Sequence, residues 1–316
     1  MFLNFLQKNK NLEDVSRYDF KANLEKFNKL KKTKKLIIGV TVGRSGMKWV
    51  LNILEAHKKV YGAGGGERNS LCESFYRYAV HNKFNVDQSA LLNSIICETI
   101  NDWKNNDVSF QLSPYFSHSI KKIEETLKPH GYIWGVNDFK FTVQSFYNKN
   151  WYNPEYNISL SKKVPGFSLT DLAKPSHFFG RIAPTNKFYN KWKNFTRIGK
   201  IAWYVNYTNK IIFDSLKKID RKKKFLFILA KGDQNYNFYL SLANWINLKH
   251  KLSKKNFLKI KFKKPGRIGV KPNVSPSFNI SENRIKKFNR REVKEMSHFL
   301  KEYNKIYKKL INSINY

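Results

Sequence analysis

Gly43-Arg44-Ser45-Gly46-Met47-Lys48-Trp49 gathers two glycines, a hydroxyl and two cations into one short stretch, a set suited to holding a phosphate or sulfate group. Glycines let backbone N–H groups approach an anion closely, and Arg44 and Lys48 supply full charges. The residues before it, 36–42, are apolar and β-branched, the pattern of a strand covered on both faces. After it, Val50, Leu51, Ile53 and Leu54 form an apolar stripe at helical spacing. A strand, a glycine turn and a helix start together aim unpaired N–H groups at one spot. The magnesium-nucleotide pattern G-x-x-x-x-G-K-(S/T) does not fit, because Met47 follows Gly46 and Trp49 follows Lys48. That disfavours an ATPase or a divergent P-loop kinase and leaves a phosphate ligand held without metal.

The loop resembles the 5′-phosphosulfate-binding loop of sulfotransferases that use 3′-phosphoadenylyl sulfate (PAPS), written (R/K)-S-G-(T/M)-x-W. The helix ending at Glu55-Ala56-His57 and the glycine-rich run closing on Glu67-Arg68 fit the same family. The resemblance implies transfer of a sulfuryl group from PAPS to a hydroxyl, on a glycan or small molecule. It also implies a three-layer α/β/α fold related to P-loop NTPases. Gly43, Arg44, Ser45, Gly46, Met47, Lys48 and Trp49 would cradle the donor, with Arg44 as the main cation on the leaving phosphate. The family often has Thr where Met47 and Lys48 stand, so backbone N–H groups and an ammonium replace two hydroxyls here.

For the base, Gly64-Gly-Gly-Glu67-Arg68 resembles the Gly-Glu-Thr-Arg stretch of tyrosylprotein sulfotransferases. Glu67 would take the acceptor proton and Arg68 would place an acidic substrate; the plainer alternative is a surface ion pair. Asp138 is the second candidate base, within Asn137-Asp-Phe-Lys140, and Lys140 would contact the bridging oxygen; the alternative there is a structural turn. The family's 3′-phosphate site, Arg-x7-Ser, is matched by Lys162-x7-Thr170 with Ser168 as a further hydroxyl. Arg267 and Gly269, in Lys264-Pro-Gly-Arg-Ile-Gly269, resemble the late basic loop that closes on the same phosphate. No metal is implied. His57 reads as a cap at a helix end, and Trp134 and Trp203 read as core.

These groups need a scaffold. Periodicity predicts helices over about 11–34, 68–81, 87–104, 117–128, 196–218, 236–248 and 282–314. Strands are expected at 36–42, 60–61, 131–136, 156–160 and 224–230, with a polar connection at 105–114 and a basic segment at 251–264. The run of glycines from Gly62 is expected to be loop, because glycine weakens strand interiors. Residues 145–195 show no period, as a lid or binding loop would. Strands alternating with helices give a single domain over 1–316, α/β in class, with a central, mostly parallel sheet and helices on both faces.

The 60 basic against 23 acidic residues give a net charge of +37, which favours phosphate-bearing or polyanionic partners. A non-catalytic nucleic-acid or polyanion binder on the same fold is therefore the rival reading. Abundant Lys, Asn, Ile, Phe and Tyr point to an AT-rich codon background, so charge alone does not establish nucleic-acid binding. Cys72 and Cys97 lack metal-ligand spacing and are expected as buried free thiols in a reducing compartment. The first seven residues are too short for a signal peptide, and no run reaches the roughly 20 apolar residues of a membrane helix. A soluble, cytoplasmic protein is expected.

Overall fold

The computed structural model describes residues 19–64, 70–149, 151–152, 179–261 and 288–313. In chain order they form α1 (Phe20–Leu30), β1 (Lys35–Thr41), α2 (Met47–Glu55), β2 (Val60–Gly64), α3 (Ser70–His81), α4 (Ser89–Asp102), β3 (Val108–Ser113) and α5 (Ile120–Leu127). There follow β4 (Gly131–Val136), α6 (Phe139–Tyr147), α7 (Tyr189–Trp192), α8 (Arg197–Leu216), β5 (Lys224–Ile228), α9 (Tyr236–Ile246), α10 (Lys254–Lys261) and α11 (Arg290–Ser313). The five strands lie in the order β2-β3-β1-β4-β5, and every pairing is parallel.

Alternation along β1 builds the two faces. Leu36, Ile38 and Val40 pack into a core with α4, α5, α6, α8 and α11, while Ile37 joins α2 and α9 on the opposite side. The result is a sheet between two helical layers, consistent with the P-loop-like sulfotransferase fold expected. The helix after β1 leaves toward one face, and the helices after β3 and β4 leave toward the other. Such a reversal opens a crevice at the carboxyl ends of the strands, where open α/β sheets bind ligands.

Two expectations for the sheet need correcting. Residues 105–114 contain β3, whose Ser109, Gln111 and Ser113 are buried polar groups. Asp102 Oδ2 accepts from Ser109 Oγ at 2.7 Å and from Gln111 Nε2 at 2.9 Å, so this face is satisfied without being apolar. Gly62 to Gly64 is strand rather than loop, paired with Phe110 to Leu112 of β3. A Cβ on Gly62 would stand 2.2 Å from Leu51 Cδ1, so close packing of α2 outweighs the entropic cost of glycine.

Helix boundaries follow their caps. α1 starts at Phe20 because Asp19 Oδ1 accepts from Lys21 N at 2.9 Å and Ala22 N at 3.2 Å. α11 starts at Arg290, later than 282, where Asn289 and Glu292 exchange backbone-to-side-chain bonds of 2.9 Å in a reciprocal cap. α6 and α10 are helices where no element is expected from the sequence. The expected strand at 156–160 lies outside the described residues, as do 153–178 of the expected lid.

The lysines leading into β1 have structural acceptors. Lys31 Nζ donates to Leu127 O at the end of α5 at 2.7 Å, and Lys35 Nζ to Ile246 O at the end of α9 at 2.7 Å. Lys34 Nζ meets Trp103 O just past α4, and Asn106 O at 2.8 Å. Parallel connectivity brings these helix C-termini to the amino edge of the sheet, where ammonium groups complement the carbonyls. Cys72 is a buried free thiol, whereas Cys97 is only half-buried. Among the described residues, no helix is long and apolar enough to cross a membrane.

Candidate anion site at the carboxyl edge of the sheet

The turn after β1 is built from left-handed backbone: φ is 97° at Gly43, 58° at Arg44 and 75° at Gly46. Gly46 takes the N-cap position of α2 and offers no side chain to it. Among the described residues, no acceptor meets the N–H groups of Arg44, Ser45, Gly46 or Met47. Four consecutive open donors at a helix start are an arrangement suited to an anion.

Hydroxyls brace the turn from below. Gly43 N donates to Thr41 Oγ1 at 3.0 Å, and the Thr41 and Ser45 hydroxyl oxygens lie 2.5 Å apart. When Thr41 donates to Ser45, the serine's own O–H stays available for a ligand. From the side, Asn137 Nδ2 donates to Arg44 O at 3.1 Å, and Tyr303 Oη in turn donates to Asn137 O at 2.9 Å. The Arg44 guanidinium reaches solvent, and its Nε donates to Ser145 Oγ on α6 at 2.7 Å. Desolvation lowers its pKa from the usual arginine range, yet it remains a full cation at neutral pH.

Met47 and Trp49 contribute differently from Arg44. The Met47 side chain is buried against β4: a Cβ on Gly135 would stand 2.2 Å from Met47 Cγ and 2.8 Å from Ser45 Oγ. Trp49 stacks on Phe227 with centroids 5.7 Å apart and meets Phe257 edge-on, inside the α2–α9 layer. What Met47 can offer a ligand is its N–H; Trp49 supports the helix. Lys48 is exposed in the first turn of α2.

Asp138 caps α6, its Oδ1 accepting from Phe141 N at 2.8 Å, and its charge also acts on Tyr303 and Tyr307. Lys140 stands exposed in the same first turn. His57 lies just past α2 with its ring stacked on Tyr239. Trp134 and Trp203 are core residues. Glu67 and Arg68, Lys162, Ser168 and Thr170, and Arg267 and Gly269 lie outside the described residues.

Three residues at the site went unassigned in the sequence. Asn137 and Ser145 touch Arg44, and they carry a signal: Ser145 stands eight positions after Asn137 directly past a strand, an x7 spacing with Asn in the first place. Glu73 of α3 carries none. Its carboxyl accepts from Ser113 Oγ at 2.5 Å at the end of β3, and burial raises its pKa to about 8. Ser113's hydrogen bond opposes that rise and Glu98 adds to it.

No protein-family model and no curated protein matches this sequence. Among solved structures, the chain is similar to the sulfotransferase domain from the curacin biosynthetic pathway, with 12% identity and a TM-score of 0.40. The match covers 69% of this chain and 75% of that one, and at this level it says nothing of what this chain acts on.

Proposed function

We propose that the protein is a sulfotransferase that moves a sulfuryl group from PAPS to a hydroxyl on a glycan or small molecule. The observation that carries this reading is the set of four open N–H groups beside the Arg44 guanidinium, at the carboxyl end of the central strand. Such a set suits a phosphosulfate, whose charge grows on the phosphate side as the sulfur–oxygen bond lengthens. Fixed donors aimed at that charge lower the barrier without reorganising. The loop lacks the Ser/Thr hydroxyl that holds magnesium in NTPases, so Arg44 and the N–H groups would neutralise the phosphate. Ser145, already bonded to Arg44, would help hold the donor there.

The rival reading, a polyanion binder without chemistry, draws on the net charge of +37. Part of that charge has another use, since Lys31, Lys34 and Lys35 are bonded to helix-end carbonyls. The test is calorimetric titration with adenosine 3′,5′-bisphosphate, the product of the donor. Micromolar binding that Arg44→Ala weakens about 10- to 100-fold, and that ATP matches poorly, is expected. Weak binding with steep salt dependence, no better than that of any polyanion, would exclude the enzyme and favour the binder.

A further inference from the structure

Glu73 stands in the first turn of α3, half-buried, with Ser113 Oγ 2.5 Å from its Oε2. Tyr115 N donates to the same Ser113 Oγ at 3.1 Å, which leaves the serine's own proton for the carboxyl. Glu73 Oε2 is thus held as an acceptor and its orientation is set by the end of β3.

That end adjoins the anion loop. Ser113 is in register with Val40 of β1, three residues before Gly43. Pro114, the next residue, has its Cβ 4.0 Å from a Cβ built on Gly43. The helix after β1 leaves on the face opposite to that of the helices after its two neighbours, β3 and β4, and Glu73 lies on the β3 side of the loop. No cation among the described residues pairs with this carboxyl. Arg77, one turn further along α3, donates instead to Gly180 O, Tyr204 Oη and Thr208 Oγ1.

We propose that Glu73 is the group that takes the proton from the acceptor hydroxyl, with Ser113 as its positioning residue. The proposal rests on the sulfuryl-transfer reading and assigns its base. In the step, the acceptor's O–H proton passes to Glu73 Oε1 and the freed oxygen pair forms the new bond to sulfur. The bond from sulfur to the bridging phosphate oxygen breaks, and its electron pair leaves with adenosine 3′,5′-bisphosphate. Arg44 and the loop N–H groups meet that charge. A carboxyl raised to about 8 keeps a proton it has accepted, which is what a hydroxyl with a high pKa demands of its base. The other titratable groups acting on it or beside it are Glu98 of α4 and Cys72, whose thiol burial pushes up to about 12.

The experiment compares wild type, Glu73→Gln, Glu67→Gln and Ser113→Ala. Calorimetry gives the affinity for adenosine 3′,5′-bisphosphate, and release of that product from PAPS, with water or phenol as acceptor, gives turnover from pH 6 to 9.5. Glu73→Gln is expected to bind the bisphosphate within about threefold of wild type while turnover falls about 10²–10³-fold and its rise toward pH 8 disappears. Ser113→Ala, lacking a bond that favours the ionised carboxyl, is expected to shift that rise to higher pH, which a purely structural serine would not do. Turnover by Glu73→Gln within threefold of wild type, or loss confined to Glu67→Gln, overturns the assignment while bisphosphate binding keeps the donor site. Absence of bisphosphate binding by the wild type overturns both.

Discussion

Asn137 Nδ2 holds the carbonyl of Arg44 at 3.1 Å, and so ties the end of β4 to a left-handed residue in the turn after β1. The contact spans two strands that are neighbours in the sheet but far apart in sequence. It fixes the peptide that follows Arg44, whose N–H is one of the four open donors. The loop's shape is therefore held by β4 as well as by its own glycines.

Arg44 adopts φ 58°, a region that costs a residue bearing a Cβ about 1–2 kcal/mol. Arg44→Gly is expected to raise stability in urea denaturation by about 0.5–1 kcal/mol, the strain relief being partly offset by a freer unfolded chain. The same variant is expected to lose about 10- to 100-fold in affinity for adenosine 3′,5′-bisphosphate. Opposite signs in the two measurements would mark strain kept for binding; a loss of stability would mean that the guanidinium chiefly braces α6 through Ser145.

Gly135 and Met47 are coupled, because a Cβ on the glycine would stand 2.2 Å from Met47 Cγ. Gly135→Ala is expected to destabilise by about 1–3 kcal/mol through overpacking, and Met47→Ala by about 2–5 kcal/mol through a cavity. The double variant is expected to cost about 1–2 kcal/mol less than the sum, since the new methyl enters the space the methionine leaves. Additivity in a double-mutant cycle would contradict the contact. Bisphosphate affinity should fall in Gly135→Ala alone, because the new methyl would also stand 2.8 Å from Ser45 Oγ.

His81 is buried and neutral, and its tautomer is fixed: Nε2–H donates to Ala183 O at 2.6 Å, so Nδ1 accepts from Tyr207 Oη at 3.1 Å. Desolvation, with Arg77 adding, lowers its pKa to about 4, against a smaller opposing effect of the Ala183 bond. Below its ordinary value of about 6.5 the unfolded chain binds this proton and the folded chain does not. Stability present above pH 6.5 is therefore lost as pH falls toward 4, at up to about 1.4 kcal/mol per pH unit. Glutamine can replace both hydrogen bonds without titrating, so His81→Gln is expected to flatten part of the acid limb in pH-dependent urea melts. An unchanged slope would show that the proton is taken up elsewhere.

The anion loop and its two flanking elements were legible in the sequence because the signal is local. An apolar strand, glycines at left-handed positions and an amphipathic helix lie within one short run, and each obeys its own backbone rule. The parallel sheet was legible for a similar reason, since strands covered on both faces read as continuous apolar runs. β3 was hidden: its Ser109, Gln111 and Ser113 read as a polar connection until Asp102 of α4 is seen to satisfy two of them. β2 was shortened because glycine's entropic cost is visible in a sequence and the packing of Leu51 is not.

The sequence by itself determined where the turn with its consecutive open N–H groups lies, because local conformation sets them. Only the tertiary structure decided which side chains surround it. Ser145 reaches Arg44 from α6, Asn137 from the end of β4, and Glu73 is held on the β3 side by Ser113. Each belongs to a different element, and what unites them is the strand order, a property of hydrogen bonding between segments that no single segment encodes.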